Sequence, residues 1–233
     1  MIAALGVAEL KLLLRNRTAA ALAVLMPLGA GLFFATNVED ADGWPMVIAL
    51  QLLFGFGFSV YVTVTTTLTS RRQDLYLKRL RTGAASDAVV LTGVLLPVVL
   101  LGLAQSLVLL GISLAAGAPV PERPELVLLA LVGGTALTCA AGVATSGLTG
   151  TAELAQITTA PFFFAMVAGV LPALGPDPDP RMLLLPGSGL GVLVREAWGG
   201  GGGQLDLAAL SLAGWTAVGI ALSIRFFRWD RRG

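Results

Sequence analysis

Residues 46–69 read MVIALQLLFGFGFSVYVTVTTTLT, and residues 70–88, directly after them, read SRRQDLYLKRLRTGAASDA. The first stretch carries no charged side chain, and as a helix rising about 1.5 Å per residue it is long enough to cross a hydrocarbon core of about 30 Å. The second stretch gathers Arg71, Arg72, Lys78, Arg79 and Arg81. An apolar run that ends in a dense basic cluster reads as a transmembrane helix leaving the bilayer on its cytoplasmic side.

Working outward, the same pattern recurs at 18–36, 89–117, 126–148, 156–174 and 207–224, the last helix being extended to 227. The chain has 15 basic and 14 acidic residues, and all of them avoid the uncharged stretches. A charge at a helix centre costs about 2.5–3.5 kcal/mol on insertion, so this avoidance is the signature of six spans. Of the 233 residues 56% are hydrophobic and 12% charged. That is about half the charge of a soluble domain, and it excludes both a soluble enzyme and a disordered chain. The expected fold is an all-α integral membrane protein forming one domain over 1–233.

The connecting segments set the orientation. With the N-terminus inside, the inner segments hold Lys11, Arg15, Arg17, Arg71, Arg72, Lys78, Arg79, Arg81, Arg225, Arg228, Arg231 and Arg232, and the outer segments hold only Arg123, Arg181 and Arg195. This positive-inside bias predicts that both termini are cytoplasmic. The first apolar run is long for the core of a cleaved signal peptide.

Several chemistries are absent. There is no histidine and a single cysteine, Cys139. His-ligated metals, His-based triads, disulfides within the chain and Cys-only zinc sites are therefore excluded. No ionisable residue falls at a midplane, where ion-coupled transporters place one. Lys11 follows Leu10 and Lys78 follows Leu77, so no Gly-Lys-Ser/Thr phosphate loop is present. The chain is read as not an enzyme, with no cofactor and no nucleic-acid partner of its own.

Three segments outside the spans carry functional expectations. Residues 1–17 form an amphipathic helix, lying on the inner leaflet or simply extending the first span, with Glu9 spoiling its apolar side. Ser70 followed by Gln73 has the form of a capping box, and the good helix formers after it predict a helix from Arg71 to Arg81, stopped by Gly83. That helix is either a docking surface for a cytoplasmic partner or a basic loop serving topology and anionic lipid. In residues 175–206, an apolar stretch broken at Pro186-Gly187-Ser188-Gly189 and ending in Arg195-Glu196 predicts two short helices that enter the outer leaflet and return. They form an outer gate, with Pro186, Arg195 and Glu196 as its residues, or a loop packed on the surface. Within the spans, Thr63, Thr65, Thr66, Thr67 and Thr69 bond preceding carbonyls or form a mildly polar path wall. The small-residue pairs Gly142/Ser146 and Ala140/Ala144 predict helix packing.

Taken together, Ala8-Glu9-Leu10-Lys11, Arg15-Asn16 and Met26-Pro27-Leu28 resemble the start of permease subunits of the type-2 ABC export family. The basic segment 71–82 resembles the family's loop after the second span. Pro161-Phe162, Leu171-Pro172, Leu185-Pro186 and the segment from Val194 to Gly199 resemble its tail. Phe163-Phe164-Ala165-Met166 stands where the family often has a serine-glycine pair.

The resemblance implies two permeases, identical or paralogous, joined to two ATP-binding-cassette subunits that bind ATP and magnesium. It makes 70–88 the coupling helix, with Arg71, Arg72, Leu75, Tyr76, Arg79 and Leu80 meeting the ATPase; Arg72, Tyr76 and Arg79 are spaced to share one helix face. Gly55, Tyr61 and Thr65 of the second span and Phe162 and Phe163 of the fifth are expected to face the seam between permeases as the substrate path. The implied activity is ATP-driven export across a bacterial plasma membrane, with bilayer lipid as a further partner; an apolar wall with threonines and no buried charge suits an amphipathic or lipophilic substrate, such as a drug, antibiotic, lipid or hydrophobic peptide. The alternative is a non-transporting membrane scaffold or sensor.

Overall fold

The computed structural model describes residues 2–38, 40–76, 79, 86–175, 179–201, 204–227 and 229, and their regular structure is entirely helical. Helix α1 is Ile2–Arg15. Arg17–Ala20, Ala21–Leu25 and Met26–Thr36 follow one another without a break and form α2, whose middle piece is π-helical. Helix α3 runs from Trp44 to Gln73 and contains a π-helical stretch, Gly55–Val62. Then come α4 (Asp87–Ala115), α5 (Pro124–Leu148), α6 (Ala155–Ala173), the short α7 (Ser188–Ala197) and α8 (Leu205–Phe226).

Helices α3, α4, α5, α6 and α8 are long and apolar enough to cross a membrane, and α2 contributes the shorter apolar helix Ala23–Thr36. Among the described residues five spans are therefore met by length and composition, where the sequence predicts six. The observed helices lie within a few residues of the expected runs.

The helix ends follow their local chemistry. Ser86 caps α4 by accepting from the Val89 N–H at 3.4 Å. At the other end of α4, Gly117 takes a left-handed φ of 107°, the Gly117 N–H donates to Leu114 O, and the Ala118 N–H donates to Ser113 O. This is a Schellman closure, which needs a residue without a Cβ penalty at that position. Pro124 opens α5 at a position where no N–H is needed.

Helix α3 is the hub. In its most apolar window 78% of the residues are buried, against 17% for α8. Its inner face (Ile48, Leu52, Leu53, Phe56, Val60, Val64 and Leu68) forms the spine of the main core. Residues such as Phe33, Leu100, Leu107, Phe164 and Ile224 point outward and are exposed, as side chains meeting acyl chains must be.

Helices α5 and α8 make the most extensive pairing. They approach closely through small residues: a Cβ at Gly219 would stand 2.9 Å from that of Ala140, and the Ser223 hydroxyl donates to Ala140 O at 3.2 Å. A Cβ at Gly142 would meet Val64 Cγ1 at 2.8 Å, so the expected packing role of that small-residue stripe is realised against α3.

The two π-helical stretches lie side by side and explain a polar seam inside the bundle. A π turn displaces carbonyls from their usual donors. Two carbonyls near the Ala21–Leu25 stretch are taken up by neighbouring helices: the Ser59 hydroxyl donates to Ala23 O at 2.9 Å and the Gln105 amide to Val24 O at 3.3 Å. Gln105 Oε1 also lies against Ser59 Oγ, so the one hydroxyl proton is shared between the two acceptors. One helical stage away, Gln51 donates to Gly31 O at 2.9 Å and accepts from Ser113 at 2.8 Å. Two buried glutamines thus lock α2, α3 and α4 together inside the bundle, which satisfies the polar groups and fixes helix register.

Candidate coupling site

The basic end of α3 is built differently from its sequence expectation. No new helix starts at Ser70. The helix already in progress continues through Gln73, and the chain turns at Asp74 and Leu75, where Leu75 takes a left-handed φ of 56°. A Ser-x-x-Gln spacing fits a helix interior as well as a helix start, and here the preceding threonine-rich turns hold the helix intact. Tyr76 and Arg79 lie beyond the turn, where the Arg79 N–H donates to Leu75 O at 3.0 Å. Arg72 is therefore not on one continuous helix face with Tyr76 and Arg79. Leu77, Lys78, Leu80, Arg81 and the expected stop at Gly83 lie outside the described residues.

Two arginines fasten this end in opposite directions. Arg71 meets Glu9 of α1 as a two-pronged pair: Nε donates to Oε2 at 2.9 Å and to Oε1 at 3.2 Å, and a terminal nitrogen stands 2.8 Å from Oε2. The Glu9 side chain is 2% exposed and that of Arg71 16%. Glu9, which spoils the apolar side of α1 on paper, is the residue that fixes α1 against α3. An acid on the apolar side of an amphipathic helix is a request for a buried partner, and that signal was present in the sequence. The guanidinium of Arg71 also lies 5.6 Å from the Tyr76 ring centre. Burial first, and then the adjacent Glu9 carboxylate, push the Tyr76 phenol above its ordinary value, so it remains a neutral hydroxyl.

Arg72 turns the other way and is 2% exposed. It donates to Ser146 O at 2.9 Å and to Thr149 O, at the C-terminal end of α5. The last carbonyls of a helix have no partners within it and carry its negative dipole end. Arg72 supplies both the hydrogen bonds and the positive charge, acting as a cap delivered from another helix. Next to it, Gln73 Oε1 accepts from the Ala152 N–H at 2.9 Å, which pins the loop between α5 and α6. Of the expected coupling residues, then, Arg71 and Arg72 are engaged within the chain, while Leu75 and Arg79 are exposed and Tyr76 is half-buried.

The residues expected to line a path fall in one region but not on one open surface. Tyr61 and Thr65 are fully buried between α3 and α5: the Tyr61 hydroxyl is 3.0 Å from Thr145 Oγ1, and Thr65 donates to Tyr61 O at 2.9 Å and Gly142 O at 3.2 Å. Phe162 packs on Tyr61 with ring centres 5.3 Å apart, and Phe163 packs on Phe58 at 5.2 Å.

Gly57 makes room for the Phe163 ring, since a Cβ there would stand 2.7 Å from Phe163 Cδ2; at Gly55 a Cβ would meet only Ser106 Oγ at 3.6 Å. Gly57→Ala is therefore expected to cost about 1–3 kcal/mol through overpacking. Gly55→Ala is expected to be neutral or stabilising by up to about 1 kcal/mol. Thermal unfolding of the two purified variants checks this, and equal shifts would contradict it.

At the opposite end of the bundle the segment before α8 forms two short helices, a 3-10 turn Pro180–Leu184 and α7, separated at Pro186 and Gly187, where the sequence predicts a break. Gly187 has φ 85°, and every residue of α7 is buried. Arg195 donates to Glu196 Oε1 at 3.1 Å, to Gly201 O at 3.0 Å and to Gly175 O. It thereby ties the end of α6 to the glycine linker before α8. The Trp198 indole donates to Pro119 O at 2.8 Å, and the Trp215 indole to Leu184 O at 3.0 Å. Pro186, Arg195 and Glu196 thus belong to one buried, cross-braced cap. Among the described residues no cluster of His, Cys, Asp or Glu suited to a metal ion occurs.

No curated protein matches the chain. Residues 2–170, from α1 almost to the end of α6, match the family model of the ABC-2 type transporter, and the chain belongs to that family of membrane transport proteins.

Proposed function

We propose that this chain is the membrane-spanning permease subunit of an ATP-driven exporter. It works with two copies of a separate ATP-binding-cassette subunit, which hold ATP and magnesium, and with a second permease that is identical or paralogous. Its substrate is an amphipathic or lipophilic molecule, a class that suits an apolar bundle relieved mainly by hydroxyls and amides. In this reading α2 completes a set of six spans, the basic end is cytoplasmic, α1 lies at the inner leaflet of the plasma membrane, and the braced cap at the other end dips into the outer leaflet as the gate.

The observation that carries the proposal is the fastening at the end of α3. Asp74, Leu75, Tyr76 and Arg79 lie beyond it, and Arg71 and Arg72 bind its last turn to α1 and to α5. A displacement applied to these residues by an ATPase therefore passes to two other helices through short, directed contacts. Family membership supports the ATPase as the source of that displacement.

Purification of the tagged chain with the ATPase encoded beside it tests the assembly. Recovery of a four-subunit complex whose ATP hydrolysis drives export from vesicles is the expected result. Recovery of the permease alone across several mild detergents would favour a scaffold instead. Orientation has its own check. Single cysteines at Asp42, Glu122 and Asp179, in a Cys139→Ala background, should react with an impermeant thiol reagent in intact cells, and one at Ala84 should not. The reverse pattern contradicts the orientation.

A further inference from the structure

A cavity of about 830 Å³ opens at the basic end, between α1, α3 and the start of α6. Its volume is that of a site for a sizeable small molecule. Leu12 and Val62 contribute apolar surface, and the polar lining is unusual in one respect. Threonines and serines in these helices ordinarily bond a carbonyl of their own preceding turn, as Thr65, Ser106, Thr138, Thr159, Thr216 and Ser223 do. Thr66, Thr67 and Ser70 line the cavity, and among the described residues none of their hydroxyls has a hydrogen-bond partner. Three half-buried hydroxyls on successive turns of α3 are left for whatever fills the space.

The charges are arranged as sparingly. Among the described residues three ionisable side chains reach the cavity: Arg71, Arg15 and Glu153. Arg71 is neutralised by Glu9. Among the described residues Arg15, on the wall formed by α1, has no carboxylate partner, and Glu153, on the loop between α5 and α6, has no cationic one. Glu153 is held below the usual carboxylate range by its own backbone N–H and then by the Thr151 hydroxyl, so it stays ionised. The cavity therefore offers one unmatched positive charge and one unmatched negative charge on different walls, with free hydroxyls between. A purely anionic ligand would satisfy Arg15 and be opposed by Glu153; a purely cationic one would meet the reverse.

We propose that this cavity binds the zwitterionic headgroup of an amphiphile, its anionic group toward Arg15, its ammonium toward Glu153, and its remaining oxygens hydrogen-bonded by Thr66, Thr67 and Ser70. The inference narrows the substrate class and rests on the reading of the basic end as the cytoplasmic side, where headgroups of the inner leaflet lie beside α1.

The test is lipid retention by the purified full chain, exchanged into an equal mixture of phosphatidylethanolamine and phosphatidylglycerol and analysed by native mass spectrometry. The wild-type chain should retain the zwitterionic lipid in preference by roughly fivefold, the size of an exposed charge pair. Glu153→Gln should abolish that preference by raising retention of the anionic lipid, and Arg15→Gln should lower retention of both. Soluble glycerophosphoethanolamine should compete, which separates headgroup recognition from acyl-chain adhesion. A retention ratio that is the same in the wild type and in Glu153→Gln, or no competition by the soluble headgroup, overturns the inference. Because the measurement needs neither ATP nor an ATPase, failure of the export reading would leave the ratio intact, and failure of the ratio would leave export intact.

Discussion

Replacing Arg72 with alanine is expected to destabilise the permease by about 3 kcal/mol. The side chain is buried and its guanidinium serves two carbonyls at the end of α5. Hydrogen bonds to a charged group contribute about 1.5–3 kcal/mol each, and the carbonyls left behind cannot all find water. Arg72→Lys should recover part of the loss, because an ammonium can reach one carbonyl but lacks the planar fork that serves two at once. Thermal unfolding of the two purified variants measures this. Where Arg72→Ala still assembles with its ATPase, its ATP hydrolysis should no longer respond to substrate, since α5 has lost its tie to α3. An alanine variant as stable as the wild type would show that the cap on α5 is incidental.

The second large effect concerns Glu9 and Arg71. Either partner left alone is a charge in a poorly hydrated place, and breaking a fully buried pair costs about 3–5 kcal/mol. Arg71 keeps some contact with water, its side chain being 16% exposed, whereas Glu9 is almost fully enclosed. Arg71→Gln, which strands the acid, should therefore destabilise more than Glu9→Gln, with the larger loss near the low end of that range. The double variant Glu9→Gln with Arg71→Gln should sit closer to the wild type than the two single losses added together, by about 1 kcal/mol or more. Strict additivity would mean that the two side chains do not act as a pair.

These two residues also show where sequence reading reached its limit. Five spans were legible because an uncharged run of the right length has few alternative meanings, and the break before α7 was legible at Pro186-Gly187, where Gly187 takes a φ of 85°. The end of α3 was not. Ser70 and Gln73 carry a start signal that a helix in progress ignores, and the true stop lies at Leu75, a residue type with no preference for a left-handed φ. The partners of Arg71 and Arg72 lie far along the chain, on α1 and α5, and such pairings are set by tertiary packing.

The π-helical stretches were equally silent in the sequence, although Ser59 and Gln105 are the polar residues that use the carbonyls of the first. The threonine run divides in a way no local rule separates. Thr63, Thr66 and Thr67 all line the cavity, yet Thr63, like the buried Thr65, bonds a backbone carbonyl (Phe58 O, at 2.8 Å), while the hydroxyls of Thr66 and Thr67 have no partner among the described residues.

The central claim is that the segment leaving α3 is the mechanical contact with an ATPase. Tyr76 is the aromatic residue described in that segment, and aromatic anchors dominate interface energies. Leu80 is the expected aliphatic one. A photo-crosslinking amino acid placed at Leu75 or Arg79, both exposed and neither committed to the bundle's core, reports the neighbour directly when the complex is irradiated in native membranes. The account predicts a covalent adduct with the ATP-binding-cassette subunit from both positions, lost in the Tyr76→Ala, Leu80→Ala background. Adducts only with lipid or with other parts of the permease, in membranes that contain the ATPase, would contradict it.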